Sequence, residues 1–427
     1  MSRVLTGALL ALLLLAAPAQ AAPLSAERKA GAPGSLTGYA FDACTTPSQE
    51  VMDAWWEASP YSAVGVYIGG SNRKCDQPEL TAAWVTAQQR RGWHLLPLQV
   101  GPQASCSGYV DVMSSDQPTA EAQGRAEAAA AVASATALGI GKGSTLYYDL
   151  EDYDTQATDC RRAALSFMSG WTKQLHAAGY DSGVYSNIAA AIASLDLADR
   201  VSTGSYAMPD DIWFAWANGK ADTVADPKWV ASHRWDDHAR IHQYRLDTKE
   251  TYGGFQLTVD ASWADVGTGS VPPNAKPVCK GTDVDLARYP KLRRGSHGPA
   301  VEALQCLLRH GGYSSAPITG RYDSTTAAGV TKAQRKLGLK QTGKTDRRTW
   351  VALLARGRSP LAKVGSVGEP VLRLQRALGA ALGKRVAVDG VFTQKTERAV
   401  RKYQKTTSLP RTGVVADQMW ERLLQGR

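Results

Sequence analysis

Between Gly38 and Val266, short β-branched and aromatic runs alternate with amphipathic or alanine-rich stretches. The runs end near Asp42, Gly69, Gly101, Asp149, Ser186, Asn218, Tyr244 and Asp260, and predict eight strands. Helical periodicity is clear over Leu80–Arg91, Ala120–Leu138 and Arg161–Ala178. Strands alternating with helices predict an α/β fold with a parallel sheet, and eight of them predict a (β/α)8 TIM-type barrel, which carries its active site at the C-terminal strand ends. After the fifth, sixth and seventh strands the helical pattern weakens, so the expected barrel is irregular.

The C-terminal third follows a different rhythm. Shifted by 70 residues without gaps, it aligns with itself: Gly295-Ser296-x-Gly298 meets Gly365-Ser366-x-Gly368, and Val301-x-x-Leu304-Gln305 meets Val371-x-x-Leu374-Gln375. Gln334 then meets Gln404, and Trp350-x-x-Leu353-Leu354 meets Trp420-x-x-Leu423-Leu424. Val301, Leu304 and Leu308 share one helical face, as do Val371, Leu374 and Leu378, and each unit reads as three short helices. The matching positions are mostly apolar or glycine and read as determinants of the fold.

These patterns divide the 427 residues into a leader at 1–22, a barrel at 36–268, a proline-containing linker at 269–286 and repeat units at 287–356 and 357–427. The leader has Arg3, an apolar run over Ala8–Ala17 and a small-x-small site at Ala19-Gln20-Ala21, the pattern of a cleaved secretory signal peptide. Its apolar run is too short to span a bilayer, and no membrane span is expected after its removal. Export excludes nucleic acid as the partner of the basic region. That region is pronounced: from Cys279 to the C-terminus, 29 Lys and Arg face 10 Asp and Glu. Such a surface suits anionic wall polymers.

Six cysteines in an exported chain fit three disulfides, for which fifteen pairings exist. Neighbouring barrel strands present neighbouring loops, so Cys44–Cys75 and Cys106–Cys160 are the expected local pairs, leaving Cys279–Cys306 at the domain junction.

Four carboxylates close candidate strands: Asp42 in GYAFDAC, Asp149 and Glu151 in LYYDLEDYD, and Asp260 in LTVDASW. The D-x-E spacing of two points both side chains to one face of a strand. Paired carboxylates are what glycosidic cleavage needs, one protonated to donate to the leaving oxygen and one supporting the developing positive charge. Tyr67, Gln99, Tyr185, Trp216 and Gln243 also fall near strand ends, either as sugar contacts or as barrel packing. Other chemistries find little support. None of the seven histidines stands in an HExxH pattern, no G-x-S-x-G elbow or phosphate-cradling loop occurs, and neither a metal nor a cofactor is expected.

The opening G-[YF]-x-F-D-x-C, the G-x-Y-I-G-G element and the strand-four Y-x-D-x-E resemble the glycoside-hydrolase-like barrel of secreted bacterial proteins, similar in layout to family 25 lysozymes. The repeats resemble the peptidoglycan-binding domain of cell-wall hydrolases. The resemblance implies that Glu151 is the general acid, that Asp149 positions or stabilises the reacting acetamido group, and that Asp42 and Asp260 orient the sugar and tune the pair. It further implies a secreted, wall-associated, lysozyme-like muramidase, a monomer with peptidoglycan and anionic wall polymers as partners. A catalytically silent barrel that only recognises wall glycan is the alternative.

Overall fold

A computed structural model describes residues 35–270 and 278–427. The predicted leader and the proline-rich part of the linker lie outside the described residues.

Eight strands close a barrel in sequence order: β1 (Leu36–Asp42), β2 (Tyr61–Gly69), β3 (His94–Gln99), β4 (Thr145–Asp149), β5 (Asp181–Asn187), β6 (Asp211–Ala215), β7 (Ala239–Tyr252) and β8 (Phe255–Val266). The first seven pair in parallel, whereas β8 runs antiparallel to both β7 and β1. The eight-stranded barrel is therefore mixed, and the helices flank mainly its first half. Helices α1 (Gln49–Ala58), α2 (Ala82–Arg91), α3 (Gln117–Ala137) and α4 (Thr158–Ala178) follow the first four strands. Ser48, Thr81 and Asp116 cap the N-termini of α1, α2 and α3 by accepting backbone N–H groups. After β5 come a π-turn (Ile188–Ile192) and α5 (Ala193–Val201), and irregular chain links β6 to β7.

Two expectations need correction here. The seventh strand does not stop near Tyr244 but continues to Tyr252, reverses at Gly253-Gly254, both at positive φ, and returns directly as β8. A hairpin thus replaces the final crossover helix, and Asp260 lies in mid-strand rather than at a strand end. The register nevertheless pairs Asp260 with Asp42, so the antiparallel strand delivers its carboxylate to the same rim. Cys160, in turn, stands in the first turn of α4 rather than in a loop.

Strand alternation fills the barrel. Ala40, Ala63, Leu98, Tyr147, Trp213, Ile241 and Ala264 pack inside it, while the intervening Phe41, Val64, Tyr148, Val184 and Phe214 face the helices. Trp213 plugs the interior beneath the mouth, edge-on to Tyr147 and Tyr185, and donates to the Ser262 hydroxyl at 3.1 Å. Gly65 makes room for it: a Cβ there would stand 2.6 Å from that of Asp42 and 3.1 Å from the Trp213 ring.

Disulfides join Cys44–Cys75, Cys106–Cys160 and Cys279–Cys306, with Cα separations of 5.7, 5.8 and 6.0 Å. The first two tie down loops at the mouth. The repeats fold as α6 (Pro299–His310), α7 (Ser324–Lys336) and α8 (Arg347–Ala355), then α9 (Glu369–Leu382), α10 (Gln394–Thr406) and α11 (Asp417–Leu424). The second unit sits against the barrel floor. Ser62 Oγ donates to the Val364 carbonyl at 3.1 Å, and Tyr39 OH donates to Glu397 at 3.1 Å. Among the described residues no helix is long and apolar enough to cross a membrane.

Candidate active site

The inward parity that places Ala40, Ala63, Tyr147 and Ile241 inside the barrel also places Asp42, Tyr67, Asp149 and Gln243 at its mouth, further along the same strands. Asp42, Tyr67, Asp149, Glu151 and Asp260 line one cleft of about 370 Å³. Tyr67 OH donates to Asp42 Oδ1 at 3.1 Å. Gln243 Nε2 donates to Asp42 Oδ2 at 3.3 Å and to Asp260 Oδ2 at 3.5 Å, and its own Oε1 accepts from Tyr185 OH at 2.8 Å. Gln243 therefore ties the first strand to the last.

Glu151 lies two residues beyond the end of β4, so no strand ladder holds it. Gln103 does so instead, accepting from the Glu151 N–H at 2.8 Å and donating to the Asp149 carbonyl at 2.8 Å. One buried amide thus clamps both ends of the D-x-E element.

Asp42, Asp149, Glu151 and Asp260 all resist ionisation. Burial and the Asp260 charge raise Asp42 to about 7. Burial, then Glu151 and Asp42, push Asp149 well above the ordinary range. Burial, then Asp152 and Asp260, raise Glu151. Asp260 is also raised by burial, against the opposing N–H of Asp247, which donates to it at 2.6 Å. Among the described residues Asp149 Oδ1 has no hydrogen-bond partner. A buried carboxyl oxygen left open in this way, beside carboxyl groups that burial and like charge bias toward the protonated form, equips the cleft to donate a proton and to bind a polar ligand group.

Gln99 and Trp216 do not line the cleft. Leu98 takes the inward place on β3, so Gln99 points outward and donates to Glu127 on α3 at 2.9 Å. Trp216 shares the outward parity of Phe214, and both rings stack on His242. Conversely, Asn72, Arg73, Lys74, Tyr109 and Asp247 line the cleft without having been singled out. Arg73 and Lys74 immediately precede Cys75, and a basic pair beside a bridged cysteine was their available signal. Asp247, at φ 48°, owes its place to an irregularity in β7 that local sequence does not announce. Among the described residues no group of three or more potential ligands could hold a metal ion.

A carboxylate-lined cleft at the mouth of a barrel, joined to small helical repeats, defines a glycoside-hydrolase-like protein with binding modules. Residues 53–264 match the Rv2525c-like, glycoside hydrolase-like domain, and residues 297–353 and 367–423 each match the putative peptidoglycan binding domain. The chain accordingly carries an Rv2525c-like, glycoside hydrolase-like domain followed by two peptidoglycan-binding repeats.

Among solved structures, an uncharacterized B. stearothermophilus protein is 19% identical, with a TM-score of 0.37, covering 53% of this chain and 95% of that one. The modular autolysin LytC from Streptococcus pneumoniae, in complex with a synthetic peptidoglycan ligand, is 16% identical with a TM-score of 0.34, covering 53% of this chain and 46% of that one. A glucosidase from Croceicoccus marinus is 11% identical with a TM-score of 0.25, covering 44% and 49%. No curated protein matches the chain. The peptidoglycan-binding class of the repeats, together with three disulfides, points to the extracellular cell wall.

Proposed function

We propose that the protein is an exported glycoside hydrolase of muramidase type, acting on peptidoglycan or a related wall glycan and held there by its two repeats. The observation that carries this reading is the convergence of Asp42, Asp149, Glu151 and Asp260 on one cleft, where burial and mutual repulsion keep protons on carboxyl groups. Glu151, the more exposed member of the D-x-E element, is the general acid that protonates the leaving glycosidic oxygen. Asp149, with its open Oδ1, meets the acetamido group of the sugar whose bond breaks. That open oxygen accepts the amide N–H and positions the group for reaction. Asp42 and Asp260 orient the sugar and raise the pKa of the pair. Glu151→Gln removes the proton donor without altering size. It should reduce release of reducing ends from purified peptidoglycan by at least ~10²-fold while wall pelleting stays unchanged. Unchanged release would remove Glu151 from the mechanism.

A catalytically silent glycan-binding barrel is the second reading, favoured by the 4% exposure of both Asp42 and Asp149. Under that reading wild type and Glu151→Gln release no sugar at all, and mass spectrometry of the digest separates the two.

A further inference from the structure

The second repeat differs from the first in what surrounds it. Lys363, whose counterpart Arg293 is exposed, is buried in the barrel floor. Its Nζ donates to the carbonyls of Trp56 and Tyr61 at 2.8 and 2.6 Å and lies 3.9 Å from the Trp56 ring centroid. Ser270 Oγ donates to the Gly365 carbonyl at 3.0 Å, and Gln394 Nε2 donates to the Ala221 carbonyl at 2.7 Å. These contacts hold α10 beside β1 and β8 and leave a groove of about 610 Å³ between the unit and the floor, far from the carboxylate mouth.

The groove has two kinds of wall. An edge of Trp263 of the barrel and Val386 and Val391 of the repeat supply apolar surface, while Arg385, Lys395 and Arg398 supply charge. The three cations are exposed, and none of them forms an ion pair among the described residues. Asp389 also lines the groove, and three cations against this one carboxylate leave the lining net positive. Asp389 accepts from Gln375 Nε2 at 2.7 Å, and Glu397 accepts from Arg401 at 2.7 Å and from Tyr39. At the corresponding positions the first repeat has Ser315, Thr325 and Ala328, so the repeat fold itself does not require this charge.

We infer that the junction of the second repeat with the barrel floor is a separate binding site for a carboxylate-bearing glycopeptide of the wall. Sugar faces and peptide methyls lie on Trp263 and the valines, and peptide carboxylates meet Arg385, Lys395 and Arg398. A phosphate polyol would answer the charge but leave the apolar wall unfilled, so the glycopeptide is the better occupant. The inference rests on the reading of the repeats as wall-binding modules and adds a site made jointly with the barrel.

The test uses the full mature chain and a soluble disaccharide-tetrapeptide, with affinity measured by calorimetry and the footprint by hydrogen exchange. Protection should appear over residues 385–399. Lys395→Ala combined with Arg398→Ala should weaken that footprint's affinity at least tenfold, whereas Ser315→Ala combined with Thr325→Ala should leave it unchanged. Lys363→Glu, which expels the pin without touching the groove, should cause the same loss. Where that variant misfolds by circular dichroism, Tyr39→Phe, which removes the junction contact with Glu397 from outside the groove, serves in its place. Binding elsewhere on the repeats without protection at 385–399 overturns this site while leaving the wall-binding reading intact. Absence of binding anywhere on the repeats overturns both. Equal or tighter binding of a glycerol-phosphate polymer at 385–399 overturns the assignment to a glycopeptide.

Discussion

Buried polar groups are treated in opposite ways at the two ends of this chain. In the repeats each is answered. Gln305 Nε2 reaches Thr319, Thr326 and the Arg321 carbonyl, while its Oε1 takes the N–H groups of Thr319 and Gly320. Gln375 repeats the pattern with Asp389, Thr396, the Val391 carbonyl and the N–H groups of Asp389 and Gly390. At the barrel mouth Asp149 keeps an open oxygen, and Asp42 shares its partner Gln243 with Asp260, a second carboxylate. The repeats use polar burial to fix a loop, whereas the mouth holds carboxyl groups in a state that only a ligand or a proton relieves. The two regions should therefore respond to polar-to-neutral substitution with opposite sign.

The largest effect is expected in the repeats. Gln375→Ala strands several buried donors and acceptors at once, each costing about 1–3 kcal/mol, and should destabilise the second unit by at least ~4 kcal/mol. Gln305→Ala should do the same to the first unit. Urea unfolding of the 279–427 region within the whole chain, followed by tryptophan fluorescence, measures both. A loss under ~1 kcal/mol would make these glutamines ornamental and erase the contrast.

At the mouth the sign reverses and depends on pH. The folded-state pKa of Asp42 is raised from 3.8 to about 7, so the native state binds its proton more tightly than the unfolded chain. That contribution to stability is fully present below about pH 4 and is lost as pH rises through about 7. Asn at this position carries no charge and still accepts from Tyr67. Asp42→Asn should therefore be more stable than wild type at pH 8, by up to ~4 kcal/mol, and nearly equal to it at pH 4. Thermal unfolding across that range checks the crossover, and destabilisation at pH 8 would reject the account.

Much of this contrast was legible beforehand. Strand ends carrying Asp42 and Asp149, and a 70-residue repeat matching glutamine to glutamine, were visible because periodicity and spacing are local properties. Long-range geometry is not written in local sequence. LTVDASW predicts a strand end at Asp260 because nothing in it states that β8 runs backwards, and only the length of β7 and the Gly253-Gly254 turn decide that. Gln99 and Trp216 were near strand ends but on the wrong parity, which one neighbour's burial decides. The docking of Lys363 beneath Trp56 joins residues 307 apart, and the same motif position, Arg293, remains exposed in the first unit.

The two repeats also grip the connecting segment from equivalent helix positions with different chemistry. Cys306 on α6 holds Cys279, and its 70-residue counterpart Arg376 on α9 holds Asp285. Cys279–Cys306 closes a loop with a sequence separation of 27, for which chain entropy gives roughly 3 kcal/mol. Reduction, or Cys306→Ser, should therefore lower the stability of the first unit by about that amount.

The ionic grip should be weaker. Arg376 is nearly buried, with a side-chain exposure of 10%, but Asp285 is at 37% and remains in contact with water, which screens the pair. Arg376→Met keeps most of the aliphatic stem and removes only the guanidinium, so the expected cost is ~1 kcal/mol. Because that cost is electrostatic, it should shrink in ~1 M salt, where the Debye length falls to about 3 Å, whereas the cost of Cys306→Ser should not change. Comparing the two variants at low and high salt by urea unfolding separates a charge contact from a covalent one at the same helical position. A salt-independent loss of ~3 kcal/mol in Arg376→Met would show that the arginine acts through packing, and the equivalence of the two grips would then be positional only.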